Sequence, residues 1–466
     1  MLATILAITT LLSPSSRAFS PPPTWEALQS TPSLANRPSP PIYHDNALPE
    51  SLITDSSLPV LYRDKDCICA ACESVWLALE VKNVDYITVL VDKQQHNNGH
   101  EDNDNEEQQF MLPRIKWPST SNNDNISSSS SKVNDNNTSD PVKLLEQIQS
   151  RYPNTPPQFY PPLSSAVDAS RCNILRLPGV MPRNSDTNLM SLAPYLFRTD
   201  GTLVKPSSHA VSLEEVEEMQ EEYYLGDFLC GRAITAADLI WAPYLERYAV
   251  QLPLVYGKNK ARLNPRNRNV YGEVDNWYKV MEGEEVPAYS CRVMGDDRHW
   301  RRCLEVATCI HNERAVGDEE RVCLPDGIPT NKNKKNGVVN NNKAGEIWSE
   351  YCSQRPWLAP TPGGEVSLFL MRNRENIVNA AAIAASAENF DSNNTADESL
   401  REVIQVLLEW DSYFDQSSEE EETAQQPLSK RGLGMALFVA EEMIQVPRDL
   451  GMIPVGVLWE VIRSCD

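Results

Sequence analysis

Positive charge is scarce in this chain. Against 65 Asp and Glu residues stand 42 Lys and Arg, a formal net charge of −23 at pH 7. A surface that acidic repels phosphate backbones and anionic lipid, so nucleic acid and membrane surfaces are not its expected partners. No apolar run approaches the roughly 20 residues that a membrane-spanning helix needs. Glycine-rich phosphate loops are missing, and the six histidines form no metal-binding pair on a predicted helix. A disulfide framework is missing too. Eleven cysteines is an odd number, most of them stand singly in the second half, and dense regular spacing is what small secreted domains show. This cysteine usage fits a reducing compartment.

What is present begins with a leader-like terminus. Leu2 to Leu12 form an apolar run of signal-peptide length, and Ser16 and Ala18 flank Arg17 in a pattern compatible with cleavage after Ala18. Residues 19–45 carry many Ser, Pro and Thr and few acids, as transit peptides do. Phe19 straight after that junction resembles the Ala-Phe boundary of two-part plastid leaders. The expectation is a signal peptide over 1–18, a transit peptide and linker over 19–55, and residence in a plastid. Plain secretion is the alternative.

Length sets the next bound, because 466 residues make two to three domains of ordinary size. "LPVLYRD" (Leu58 to Asp64) reads as a buried strand, and "CESVWLALEVKN" places Val75, Trp76 and Leu79 on a helical period. "VDYITVLVD" is β-branched and reads as a second strand. "FMLPRIKWP" is a further strand candidate with Pro113 at its head. "DPVKLLEQIQSRYP" is a helix with Asp140 as N-cap and Pro141 at its first position. Two polar tracts, about 94–109 and 119–139, have too little apolar content for a core and read as disordered insertions. From about Ser164 the pattern is helical, with capping boxes at Ser212/Glu215 and Thr235/Asp238. A low-complexity linker covers 325–343. Beyond it Leu400, Val403, Ile404, Leu407 and Leu408 mark one buried helix face.

Three cysteines, in "DKDCICAACESVW", open the first helix. A thiol at a helix N-terminus faces unpaired backbone N–H groups and the positive end of the helix dipole, which favour the nucleophilic thiolate. Cys69 takes that place, and Cys72, about one turn on, is positioned to resolve a mixed disulfide. Two other readings stand beside redox or thiol-transfer chemistry. The Cys-x-Cys-x-x-Cys spacing suits a metal, although no second ligand pair accompanies it, and no metal is expected. Alternatively the cysteines are small buried hydrophobes of a degenerate site.

"VLYRDKDCICAACESVWLALEVKNVDY", "LPRI" and "LGDFLCGRAITAADLIWAPYLER" together resemble the glutathione S-transferase superfamily. There a Cys-Pro-Tyr-Cys motif often stands where "CAAC" stands here. "RPWLAPTPGGEV" and "VPRDLG" are similar, more loosely, to the C-terminal extension of plastid and cyanobacterial members. The resemblance implies a thioredoxin-like α/β domain over 56–162, an all-α glutathione-transferase-type domain over 163–324, and a further helical extension over 344–466. It also implies that "LPRI" carries a cis-proline, with Leu112 before Pro113 pairing its backbone with the cysteinyl unit of glutathione. The γ-glutamyl anchor falls at Asp140 with Ser139 beside it, whereas Pro141 offers neither hydroxyl nor amide.

The family's chemistry implies glutathione as cosubstrate and a disulfide or small electrophile as second substrate. Catalysis would run through Cys69 and Cys72, or through conjugation by glutathione's own sulfur. A reading of another class is a non-catalytic binding or assembly module that keeps the fold. Members usually dimerise, so a homodimer is the expected assembly, although the polar insertions fall in the α/β half of such an interface. Thr235 and Asp238 read as a folding cap, and Trp241, Tyr244 and Tyr248 as core.

Overall fold

The computed structural model describes residues 21–45, 49, 56–92, 112–118, 138–157, 159, 228, 233–256, 266, 272–303, 341–386, 393–414 and 428–465. The chain divides into two compact units. One comprises Pro41–Tyr289 and Val293–Thr330, the other Met1–Pro40, Ser290–Arg292 and Asn331–Asp466.

The first unit is built on a four-stranded mixed sheet. Its strands are β1 (Ile42–His44), β2 (Val60–Asp64), β3 (Ile87–Val91) and β4 (Arg114–Lys116), in the order β1-β3-β2-β4. β3 runs parallel to both neighbours, and β4 runs antiparallel to β2 with Tyr62 opposite Arg114. Parallel strands covered on both faces lose polar alternation, and every residue of "ITVLV" in β3 is buried. Helix α2 (Ala70–Val81) crosses from β2 to β3. Its apolar content exceeds one face, and it is buried continuously from Cys72 to Glu80.

Two further helices cover α2. These are α3 (Pro141–Arg151), through Leu144, Leu145 and Ile148, and α4 (Ala236–Tyr256), which packs directly on it. β2–α2–β3 followed by a cis peptide at Leu112–Pro113 and the antiparallel β4 is a thioredoxin-like arrangement. α4 and α5 (Gly272–Met281) supply its helical partner. The cis-proline expected at "LPRI" is therefore present.

Thr235 is the cap of α4. The Asp238 carboxylate accepts from the Thr235 amide at 2.8 Å and from its hydroxyl at 2.9 Å, while its second oxygen accepts from the Trp277 indole at 2.9 Å. The Thr235–Asp238 pair thus makes the hydrogen bonds of a capping box. Trp241 and Tyr244 are buried and meet edge to face. The Tyr248 side chain, the Ser212/Glu215 box and both polar insertions short of Thr138 lie outside the described residues, as do residues 1–20.

The second unit is helical: α1 (Trp25–Gln29), α6 (Asn341–Cys352), α7 (Pro362–Arg372), α8 (Arg374–Ser386), α9 (Asn393–Phe414), α10 (Lys430–Phe438) and α11 (Met452–Arg463). Leu400, Val403, Ile404 and Leu407 on α9 are fully buried and Leu408 packs half-buried beside them, the face their spacing predicts. A stretch read as leader and linker contributes here. Thr24 caps α1 by accepting from the Ala27 amide, the Trp25 indole donates to Asp397 at 2.9 Å, and Leu28 sits in the core. Arg401 donates to the Pro23 carbonyl at 2.8 Å and Arg372 to that of Pro38 at 2.8 Å.

Gly451 illustrates how tight this unit is. A Cβ there would lie 1.8 Å from the Cys291 carbonyl oxygen, whereas one at Gly434 would meet nothing within 4 Å. Gly451→Ala is expected to destabilise by at least about 1–3 kcal/mol. Gly434→Ala, inside α10, is expected to stabilise by about 0.5–1 kcal/mol. Opposite signs in urea unfolding check both.

Candidate functional site

The cysteine loop joins β2 to α2, and side chains from three directions hold it. Asp64 ends β2 and is buried. Its carboxylate accepts from the amides of Asp66, Ile68 and Cys69, each at 3.1 Å. These bonds turn the chain back so that Cys67 adopts a φ of 53°, a left-handed conformation unusual for a side-chain-bearing residue. The carbonyls then point inward. Arg247 of α4 donates to the oxygens of Cys67 at 3.1 Å and Ile68 at 3.4 Å. The His299 ring lies 3.4 Å from the Cys67 oxygen. In place of a proline after Cys69, the loop is stiffened from behind by Asp64, Arg247 and His299.

Cys69 is the N-cap of α2. Its sulfur accepts from the Cys72 amide at 3.4 Å, and it is half-buried. Cys72, within the first turn, is buried. Cys69 and Cys72 therefore sit at the start of α2, one half-buried and one enclosed. Cys67 is different. It is buried, takes a hydrogen bond from Arg63 at 2.9 Å, and burial pushes its thiol up to about 12 against the pull of that guanidinium. It stays a neutral thiol near pH 7. Arg63 itself lies over the Trp76 ring at 4.1 Å.

Two buried carboxylates flank this cluster. Glu73 follows Cys72, pairs with Arg247 at 2.9 Å through Oε2, and leaves Oε1 with no hydrogen-bond partner. Burial raises its carboxyl to about 7. Arg247 opposes that rise by charge and hydrogen bond, and the Cys69 thiolate adds to it. Because the folded value lies above the ordinary 4.5, the stability contributed by protonated Glu73 is complete below about pH 4.5 and lost as pH climbs through about 7.

Glu246 accepts from the Gly295 amide at 2.7 Å. Burial raises it well above the ordinary range, with Glu73's charge adding to the effect. Arg247 is the guanidinium whose charge opposes the rise of both acids, and it stacks on Trp300 at 4.1 Å. On the far side Cys303 contacts the His299 ring at 3.4 Å, and burial holds its thiol up at about 12.

The residues expected to hold glutathione divide. The β2–β4 pairing begins with Tyr62 opposite Arg114, and the cis Leu112–Pro113 bond lies just ahead of it in the chain. Leu112 packs half-buried against the Val60–Val89 core. Ser139 is half-buried and Asp140 exposed ahead of α3, where the Asp140 carbonyl accepts from Leu144. Asp140 is the helix cap that "DP" signals. Among the described residues no group of His, Cys, Asp or Glu is placed to hold a metal ion, and no helix is long and apolar enough to cross a membrane.

Sequence reading missed Asp64, Glu73, Arg247 and His299 as one assembly. Asp64 alone left a trace, as an acid just ahead of a turn into a helix.

Solved structures similar to this chain are glutathione transferases. Omega 3C from Trametes versicolor matches at 14% identity with a TM-score of 0.33, over 56% of this chain and 93% of its own. A glutathione transferase homolog from Drosophila mojavensis, solved with bound glutathione, matches at 15% and 0.32, over 54% and 97%. The trimeric glutathione transferase TDR1 of Leishmania matches at 13% and 0.36, over 61% of this chain and 57% of its own. No family model and no curated protein matches the sequence.

Proposed function

We propose that this protein is a glutathione-dependent thiol transferase of the glutathione-transferase type, with Cys69 as nucleophile. The observation that carries this reading is a reachable thiol capping α2 and accepting the Cys72 amide, above a loop whose backbone is locked by buried side chains. Amide donation and the helix dipole favour the thiolate. The thiolate attacks one sulfur of a glutathione-bearing disulfide. A new S–S bond forms, the old one breaks, and the partner leaves as thiolate. A second glutathione, or Cys72 from within the first turn, then attacks the Cys69 sulfur and releases the bound thiol. The cis Leu112–Pro113 segment ahead of β4 is where the cysteinyl backbone of glutathione would pair, with Ser139 and Asp140 toward its γ-glutamyl end.

Cys69→Ser is expected to abolish turnover of a glutathione mixed disulfide while leaving the melting temperature close to wild type. Full activity in that variant sinks the reading. A binding-module reading has one specific support: Pro141 removes the amide that would otherwise greet the γ-glutamyl group. Calorimetry separates the two, since absence of glutathione binding by the folded chain favours the module.

A further inference from the structure

We propose that Asp64 is the positioning residue of Cys69: it gathers the amides leading up to the nucleophile and so keeps the Cys69 sulfur on the N-terminus of α2. The proposal rests on the reading of Cys69 as nucleophile and goes beyond it by saying what holds that nucleophile in working geometry.

Four consecutive amides converge on this one residue. Its carboxylate accepts from Asp66 through Oδ1 and from Ile68 and Cys69 through Oδ2, each at 3.1 Å. Its backbone carbonyl takes the amide in between, that of Cys67, at 3.4 Å. Successive N–H groups that point into one concavity make an anion-binding nest. Here the anion is the chain's own carboxylate, on a residue only 4% exposed.

The carbonyls of the same stretch point the other way, because N–H and C=O are opposed across a trans peptide. Arg247 Nη2 donates to the Cys67 oxygen at 3.1 Å and to that of Ile68 at 3.4 Å. The peptide planes 67–68 and 68–69 are thus each strung between a carboxylate and a guanidinium. Flipping either plane would aim an N–H at the cation and a carbonyl at the anion, in place of two charge-assisted hydrogen bonds.

The consequence for chemistry lies one bond further on. With its amide held, Cys69 keeps the N-cap conformation, φ −80° and ψ 105°, and its sulfur accepts the Cys72 amide at 3.4 Å. That contact is one of those that favour the thiolate. Asp64 acts on the sulfur through this backbone.

The test follows iodoacetamide labelling of Cys69 by peptide mass, and turnover of a glutathione mixed disulfide, across about pH 5–10 in the full chain, in Asp64→Asn and in Asp64→Ala. Asparagine keeps one acceptor oxygen whichever way it turns, and alanine keeps none. Both remove the same negative charge, which acting alone would draw the labelling midpoint acid-ward in both alike. Positioning gives the opposite sign. The midpoint is expected to move alkaline by about 1–2 pH units in Asp64→Ala, the worth of one hydrogen bond to a charged group, and by less in Asp64→Asn. Turnover at pH 7 is expected to fall about 10–100-fold in Asp64→Ala and by less in Asp64→Asn.

An acid-ward or unmoved midpoint in the folded variants, with wild-type Cys69 labelling and turning over, overturns the positioning role and leaves the thiol-transferase reading standing. A wild type that labels at Cys69 yet turns over no disulfide overturns that reading, and the midpoints still decide the role of Asp64. If neither variant folds, hydrogen exchange in wild type decides. The Ile68 and Cys69 amides, which donate to a side chain, are expected to exchange about 100-fold slower than in the unfolded chain. Exchange at the unfolded rate overturns the proposal.

Discussion

Arg247→Ala is expected to cost about 3–5 kcal/mol, the usual penalty for removing one partner of a buried ion pair. In a body of this size that is a fall in melting temperature on the order of 10 °C. Three losses coincide. Glu73 loses its counter-charge at 2.9 Å, the carbonyls of Cys67 and Ile68 lose their donor, and Trp300 loses the guanidinium over its ring. The Glu73 carboxyl is then pushed beyond about 7 and stays protonated at neutral pH.

The double replacement Glu73→Gln with Arg247→Met is expected to regain much of the lost stability, because neither charge is left stranded. Thermal unfolding of the single and double variants measures the regain. A melting temperature unchanged in Arg247→Ala contradicts the assignment of Arg247 as the clamp of the cysteine loop.

Deleting residues 1–45, the stretch whose composition resembles a transit peptide, is expected to be more damaging still. Leu28 and Leu34 are about 3–4% exposed, and truncating a single such leucine to alanine costs about 2–5 kcal/mol. The deletion also removes the Trp25–Asp397 and Arg372–Pro38 hydrogen bonds and all of β1. Against a total stability of about 5–15 kcal/mol for an ordinary domain, little cooperative folding should remain in the helical unit. A melting curve of that truncation equal to the full chain's counts against the packing of 24–44.

The buried place of that stretch shows where sequence reading stopped, and other elements show where it succeeded. β2, α2 and β3 were legible because their signals are local: an apolar strand, a helical period at Val75, Trp76 and Leu79, and a β-branched run. Pro113 and the Thr235–Asp238 cap were legible for the same reason. Residues 24–44 were not, because Pro and Ser around "TWEALQ" masked a Thr cap followed by Trp25 and Leu28 one turn apart. The site's interior was illegible on different grounds. Glu73 and Arg247 are 174 positions apart, and periodicity along α4 puts Arg247 one turn beyond buried Tyr244 without saying what it meets. The direction of Arg63 was illegible because alternation in a strand enclosed on both sides no longer sorts inside from outside.

The edge strand has one more consequence, for solubility. β3 is five apolar or β-branched residues long, and β1 covers the row of backbone donors and acceptors along its outer side. With Ile42–His44 gone, that row would be offered to any strand of another molecule, a template of the kind from which aggregates grow. Shortened versions of this protein would then fail in the test tube by cross-molecular pairing along β3, and a lysine or proline introduced on that strand's outward edge would be the remedy to try before any change to the core.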